Sequence, residues 1–156
     1  MDDRLFRDAM GKFATGVTVL ITENEGEPHG MTANGFMSVS LDPKLVVISI
    51  GHKAKFLEKV KEAKKFSVNI LNEEQEYYSR HFAGKPDKEV EFARLGGLPV
   101  LEGAIAQVAC EVVSEYVEGD HTLFIGKVVD LQIEDKNPLL FFGGKYRQLA
   151  ELAVIN

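Results

Sequence analysis

Residues 30–50, GMTANGFMSVSLDPKLVVISI, constrain the fold of this chain more than any other segment. In MSVSL three apolar residues alternate with two serines, which is the two-residue period of a strand with one apolar face. Asp42-Pro43 is a turn signal, and residues 45–50 form an almost unbroken apolar run. The segment therefore predicts two strands joined by a turn.

The same segment is rich in small polar side chains. Four of them, Thr32, Asn34, Ser38 and Ser40, fall close together beside two glycines. A strand that only packs on a core or faces solvent has little need of them. Small hydrogen-bonding groups along a glycine-rich backbone predict a wall that binds a flat ligand with polar edges.

Length and charge exclude several classes of protein. The chain has 156 residues, enough for one domain over residues 1–156 with its own core. Its net charge of −6 argues against a broad surface for nucleic acid or membranes. No apolar run approaches the length of a membrane span, and the first residues are acidic rather than basic as in a signal peptide. We therefore predict a cytoplasmic protein.

Cysteine and histidine usage argues against a disulfide or a metal site. The chain has one cysteine, Cys110, whose strand-like surroundings predict a buried thiol. The four histidines are scattered without the spacing of metal ligands, so we predict no metal. The glycine motifs of the standard phosphate-binding folds and the serine and zinc motifs of hydrolases are also absent.

Apolar periodicity gives a coarse outline of the chain. It predicts a first helix that ends near residues 15–16, a short helix within residues 54–63 and a third helix from residue 72 to about 82. Further strands are predicted at residues 17–22, 66–71, 104–116, 122–133 and 139–142. Residues 23–30 predict a polar hairpin loop, residues 84–98 a charged, glycine-rich surface loop with one helical turn, and residues 146–154 a closing helix. Six or seven strands without regular alternation with helices predict a mainly β fold, an antiparallel barrel with helices packed outside it.

The end of the apolar run at residues 45–50 has features of an anion site. Ser49 ends a strand, Gly51 provides a turn, and Lys53 and Lys55 precede a helix whose first N–H groups are free. The alternative is an ordinary helix start with solvated lysines. The hydroxyl-rich strand just before it favours phosphate binding.

Two further segments pair chemistry-bearing residues with turns. Asp120 and His121 lie at the tip of a predicted hairpin, where the carboxylate is either turn chemistry or a group that orients the imidazole at the mouth of a pocket. Residues 82–84 and 141–147 combine aromatic rings with glycines. Such a pair is either part of the core followed by a turn, or a surface on which a planar ring stacks.

Taken in order, these segments resemble the flavin reductase-like family, whose fold is the FMN-binding split barrel. More narrowly, the chain resembles the small NADH-dependent reductase components of two-component aromatic hydroxylases, such as the phenol and 4-hydroxyphenylacetate monooxygenases. The resemblance runs over essentially the whole chain. It is carried by FATGVTV at residues 13–19, by residues 30–50, by VNIL at residues 68–71, by Ser79 with residues 82–84, by GDHT at residues 119–122 and by FGGKYR at residues 142–147.

The resemblance implies a six- to seven-stranded antiparallel split barrel that forms a homodimer, with a flavin near the subunit interface. The residues that it assigns to the flavin are Thr32, Ala33, Asn34, Ser38, Ser49, Ile50, Gly51, Lys53, Lys55, Phe82, Ala83 and Gly84. His121, Tyr146 and Thr15 are assigned to NADH, with His121 holding the nicotinamide. Residues 51–55 depart from the polar run that many family members have at this position. The choice between FAD and FMN therefore stays open, with FAD favoured.

The implied reaction is hydride transfer from NADH to the flavin, which the cofactors themselves carry out. No side chain need act as acid or base, and His121 is expected to position the nicotinamide rather than move a proton. Reduced flavin would serve a separate oxygenase that acts on an aromatic compound. The alternatives are a flavin-binding barrel without turnover and an enzyme like pyridoxamine-phosphate oxidase, which would need more arginines around its phosphate.

Overall fold

The computed structural model describes residues 1–86, 89–150 and 154–155. Within them the helices are α1 Asp3–Met10, α2 Phe56–Ala63 and α3 Glu76–Phe82. The strands are β1 Thr15–Gly16, β2 Thr18–Asn24, β3 Glu27–Ala33, β4 Phe36–Leu41, β5 Lys44–Gly51, β6 Lys65–Ile70, β7 Ala93–Leu95, β8 Leu98–Val100, β9 Ala106–Glu118, β10 His121–Ile133, β11 Leu140–Phe142 and β12 Lys145–Arg147.

Seven strands form one antiparallel sheet in the order β3-β2-β6-β9-β10-β5-β4. A small sheet of β1, β11 and β12 and a two-stranded sheet of β7 and β8 accompany it. The predicted class, a mainly β split barrel of antiparallel strands with helices outside, is confirmed.

The core consists of two hydrophobic clusters on opposite faces of β2. Leu20 belongs to the cluster that also contains Phe66 and Phe124 and is covered by α2. Val19 and Ile21 point to the second cluster, which lies beside α3. Because successive side chains of a strand point to opposite faces, β2 is buried on both sides, and its continuous apolar run is explained.

Several sequence predictions need correction. Residues 23–30 are not a loop, because β2 continues to Asn24 and β3 begins at Glu27, leaving a turn of two residues. Residues 30–50 hold three strands rather than two, since they begin inside β3. Residues 84–98, predicted as a loop, contain β7.

The two predicted terminal helices also differ from the structure. The first helix ends at Met10, before the predicted residues 15–16, which form β1. At the other end, Tyr146 and Arg147 lie in β12, and residues 148–150 are not helical, because the glycine turn before β12 returns the chain to β11. The rest of the predicted closing helix, residues 151–153, lies outside the described residues.

Two surfaces carry apolar side chains that this chain does not bury. Helix α1 has no buried side chain, although Leu5, Phe6 and Met10 follow a helical period. On the edge strand β4, Val39 and Leu41 are also exposed, Leu41 by 79%. Among the described residues, no helix is long and apolar enough to cross a membrane.

Candidate functional site

One cavity lies where β3, α3 and the small sheet meet. Its volume of about 320 Å³ is within the range of small-molecule sites, roughly 300–1,000 Å³. The residues that line it are Val17, Thr32, Ala33, Asn34, Ser79, Ala83, Phe141 and Tyr146. We call it the first cavity.

Hydrogen bonds connect the elements around the first cavity. The hydroxyl of Tyr146 on β12 lies 2.6 Å from the Oγ of Ser79 on α3. Thr32 on β3 donates its hydroxyl hydrogen to the backbone carbonyl of Ser79. The guanidinium of Arg80 lies 5.0 Å from the centre of the Tyr146 ring, within reach of a cation–π interaction. Ser79 therefore joins the two walls of the cavity.

A close approach between β3 and α3 depends on Gly30. A Cβ atom at this position would lie 2.6 Å from Cδ1 of Phe82, so any side chain would displace the ring. Phe82 packs in the second hydrophobic cluster, and Ala83 next to it lines the cavity. Gly30 thus holds the end of α3 against the strand that supplies Thr32.

A second and larger cavity, of about 660 Å³, lies under α1 at the ends of β5, β9 and β10. We call it the second cavity. It is lined by Asp3, Phe6, Arg7, Met10, Ser49, Glu118, Asp120, His121 and Leu123.

Strand register explains why His121 faces the second cavity. His121 is paired with Glu118 on one side and with Gly51 on the other. Directly paired residues of antiparallel strands point to the same face, so Glu118 and His121 lie side by side on the face of Gly51. A Cβ atom at Gly51 would lie 3.6 Å from Nε2 of His121, in van der Waals contact, so the imidazole lies close beside Gly51.

The imidazole of His121 is oriented by its neighbour Asp120. Nδ1 of His121 lies 2.7 Å from Oδ1 of Asp120, and the imidazole is half exposed at 48%. The hydrogen bond from His121 lowers the pKa of Asp120. Because the carboxylate accepts the Nδ1 proton, Nε2 is the nitrogen left to face a ligand.

The two cavities adjoin at the contact between Gly35 and Ser49. Asn34 lines the first cavity, and the N–H of Ser49 donates to the carbonyl of Gly35 at 2.9 Å. The side chain of Ser49 lines the second cavity. Residues 34–35 and Ser49 therefore link the linings of the two cavities.

The predicted flavin residues divide into those that line a cavity and those that do not. Thr32, Ala33, Asn34 and Ala83 line the first cavity, and Ser49 lines the second. Neither cavity is lined by Ser38, Ile50, Gly51, Lys53, Lys55, Phe82 or Gly84. Ile50 is fully buried in the core, so only its backbone could meet a ligand.

The predicted phosphate turn has fewer free donors than expected. The N–H of His52 donates to the carbonyl of Asp120, and the N–H of Ala54 donates to that of Gly51. Lys53 and Lys55 are exposed, with Lys55 at the N-cap of α2. Phosphate binding by these lysines stays a prediction.

The predicted NADH residues are divided between the cavities. Tyr146 lines the first cavity and His121 the second. Thr15 lines neither, but it is paired with Phe141, which lines the first. The Oγ1 atom of Thr15 is buried and has no hydrogen-bond partner among the described residues. A buried hydroxyl of this kind normally has a partner, and a bound ligand could supply one.

Sequence reasoning missed Arg7. Asp3, Phe6, Arg7 and Met10 have the spacing of one helical face, and that face lines the second cavity. The spacing was visible in the sequence, but nothing in it indicated what the face covers.

Other reactive groups do not enter these cavities. Cys110 is fully buried, and burial raises the pKa of its thiol to about 12, which keeps it protonated. Within residues 1–86, 89–150 and 154–155, no three potential metal ligands lie together.

Comparison with known proteins adds three findings. A model of the flavin reductase like domain matches residues 10–150. An NADH-dependent flavin reductase from Rhodococcus sp is 47% identical over 149 residues, which cover 92% of this chain and 84% of that protein. The reductase component of 4-hydroxyphenylacetate 3-monooxygenase from Thermus thermophilus is 37% identical over 145 residues, covering 92% of this chain and 95% of the relative.

Among solved structures, flavin reductase PheA2 in its native state superposes with a TM-score of 0.95 and 62% identity. The match covers 97% of this chain and 100% of the other.

Proposed function

The chain belongs to the flavin reductase-like domain family, and on that premise we propose that its two adjoining cavities bind a flavin and NADH. The protein is an NADH-dependent flavin reductase that supplies reduced flavin to a separate monooxygenase. When flavin and NADH are bound, these two molecules carry out the hydride transfer themselves. The chain binds and orients them.

The observation that supports this arrangement most is the contact between Gly35 and Ser49, where the cavities adjoin. Residues 32–34 offer backbone and small polar side chains along the first cavity, which suit the polar edges of a flat ring. Thr15, next to Phe141 of the first cavity, has a buried hydroxyl without a hydrogen-bond partner among the described residues, which fits a site that gains a polar ligand. Residues of this chain therefore suit a flavin.

His121 holds the nicotinamide in this proposal. Asp120 holds Nδ1 of the ring, Nε2 lies beside Gly51, and His121 lines the second cavity. Hydride transfer needs the two reacting rings at contact distance and in a fixed orientation. His121 supplies orientation and no proton transfer.

FAD is the preferred flavin in this proposal. A flavin in the first cavity can continue past Asn34 to Ser49, which leaves room for the adenosine monophosphate group that distinguishes FAD from FMN. Steady-state kinetics with each flavin tests it, and the KM for FAD should be the lower one.

A homodimer accounts for the apolar surface of β4 and for the exposed Leu5 of α1, whereas Phe6 and Met10 line the second cavity. Contiguous exposed apolar surface and an open strand edge usually mark an interface. The far end of β10 adds Leu131 and Ile133, which is 74% exposed. We expect twice the mass of one chain in light scattering. Leu41→Lys should give a monomer, and a wild-type monomer would contradict the proposal.

A direct test of the function measures NADH consumption by the purified chain with free FAD or FMN. The proposal expects oxidation that depends on both the chain and the flavin. Flavin binding without oxidation would indicate a passive binder. Turnover of pyridoxamine phosphate instead would indicate the other split-barrel chemistry. That chemistry needs arginines around the phosphate, and none of the described residues that line the first cavity is an arginine.

A further inference from the structure

We propose that Arg7 of α1 binds a phosphate group of a dinucleotide, NADH or FAD, in the second cavity. The inference rests on the proposed function, since it takes a dinucleotide as the ligand. Arg7 lies on α1, and none of the site residues predicted from the sequence lies on that helix.

The geometry of α1 places Arg7 toward the sheet. Asp3, Phe6, Arg7 and Met10 are spaced by three, four and seven residues, so they lie on one face of the helix. All four line the second cavity, together with Ser49 and His121. At the C-terminal end of α1, the N–H of Gly143 donates to the carbonyl of Gly11 at 2.9 Å and ties the helix to the small sheet.

The second cavity has acidic residues in its lining, so a phosphate group can bind there only beside a positively charged side chain. Three carboxylates line it: those of Asp3, Glu118 and Asp120. Among the described residues, Arg7 is the one basic residue in the lining apart from His121. A nucleotide diphosphate carries negative charge, and next to these carboxylates its binding is favourable only when a cation meets it.

The side chain of Arg7 is available for that role. Within the part of the chain that the structure describes, it forms no ion pair and no side-chain hydrogen bond, although Asp3 lies one helical turn away. A guanidinium offers paired N–H donors that match two phosphate oxygens, and it stays charged at all relevant pH values. The phosphate is that of NADH or of FAD, since both are diphosphates.

The test compares Arg7→Gln with Arg4→Gln in the dimeric, flavin-supplied enzyme. Both substitutions remove one positive charge from α1, but Arg4 does not line the cavity. We expect Arg7→Gln to raise the KM of one nucleotide roughly tenfold or more, because charge-assisted hydrogen bonds are lost, with kcat at saturation within about twofold. Arg4→Gln should leave both KM values near wild type.

Binding measured without turnover separates the two sources of phosphate. Titration calorimetry measures the affinity of the flavin-free protein for NAD⁺ and, separately, for FAD. We expect Arg7→Gln to bind one of the two nucleotides more weakly than the wild-type protein does. Weaker NAD⁺ binding assigns the contact to NADH, and weaker FAD binding assigns it to the flavin. Arg7→Lys should recover part of the loss, because it restores the charge without the paired donors.

Two results would overturn the inference. One is unchanged binding of both nucleotides by a folded Arg7→Gln variant, as judged by circular dichroism. The other is an equal loss in Arg4→Gln, which would indicate a general effect of charge. Neither result touches the proposed function, which fails only if the wild-type chain does not oxidise NADH with flavin.

Discussion

The Tyr146 hydroxyl and the Ser79 Oγ lie 2.6 Å apart and join the small sheet to α3 across the first cavity. Ser79 is fully buried, so its hydroxyl has no water to replace this partner. The carbonyl of Ser79 also accepts the Thr32 hydrogen bond. One residue of α3 therefore sets the spacing of both walls that we assign to the flavin.

Tyr146→Phe tests the importance of this hydrogen bond. Loss of the hydroxyl leaves Ser79 unsatisfied and should lower the free energy of unfolding by about 1 kcal/mol. It should also raise the KM for flavin several-fold. Chemical denaturation and flavin titration measure the two effects, and Tyr116→Phe, at an exposed position, is the control. Unchanged flavin affinity would show that the bond does not shape the site.

His121→Ala tests the role of the histidine in NADH use. Because His121 only positions the nicotinamide, kcat/KM for NADH should fall at least about tenfold, while flavin binding changes little. His29→Ala, at a histidine that lines neither cavity, is the control. An unchanged NADH dependence of flavin reduction in His121→Ala would show that this assignment is wrong.

Asp120→Asn tests how the histidine is oriented. The His121 hydrogen bond lowers the pKa of Asp120, so the carboxylate is fully ionised above the ordinary Asp pKa of about 3.9 and loses its charge only as the pH falls through the lowered value. Acid loss of NADH affinity above that range therefore does not come from Asp120. Asp120→Asn should raise the KM for NADH at neutral pH, with wild-type kcat at saturation. A pH profile of KM for both proteins measures this, and identical profiles would contradict it.

Glu118→Gln tests the discrimination between NADH and NADPH. NADPH carries an added phosphate, and the carboxylate of Glu118 lies beside His121 in a cavity with excess negative charge. Removing that charge should raise the ratio of kcat/KM for NADPH to that for NADH several-fold, and less so at high salt.

Glu115→Gln is the matched control for this charge. It lies on the same strand, three residues away and therefore on the opposite face, and it is exposed. An equal change of the ratio in both variants would attribute the effect to net charge rather than to the cavity.

The strands were predictable where local patterns are strong. The alternation in β4 and the apolar run of β5 follow directly from the pleat, and the turn between them from Asp42-Pro43. The hairpin loop predicted at residues 23–30 is too long because GEPHG has turn composition, yet cross-strand pairing with β2 brings the start of β3 back to Glu27.

The candidate site was predictable only in part, because it is assembled from distant residues. Thr32 and Ser79 are 47 positions apart, and Ser79 and Tyr146 are 67. No local periodicity of the sequence predicts such contacts. Only the family resemblance indicated that these segments belong to the same site. Patterns in α1 and β4 showed an apolar face but not what covers it, since that depends on what lies outside the chain.

The most direct test mixes the purified chain with FAD and NADH in the absence of oxygen and of any other protein. We predict loss of the yellow flavin absorbance together with oxidation of NADH in equal amounts, at a rate set by the chain concentration. Flavin that stays oxidised while NADH remains unconsumed would contradict the assignment of this chain as an NADH-dependent flavin reductase.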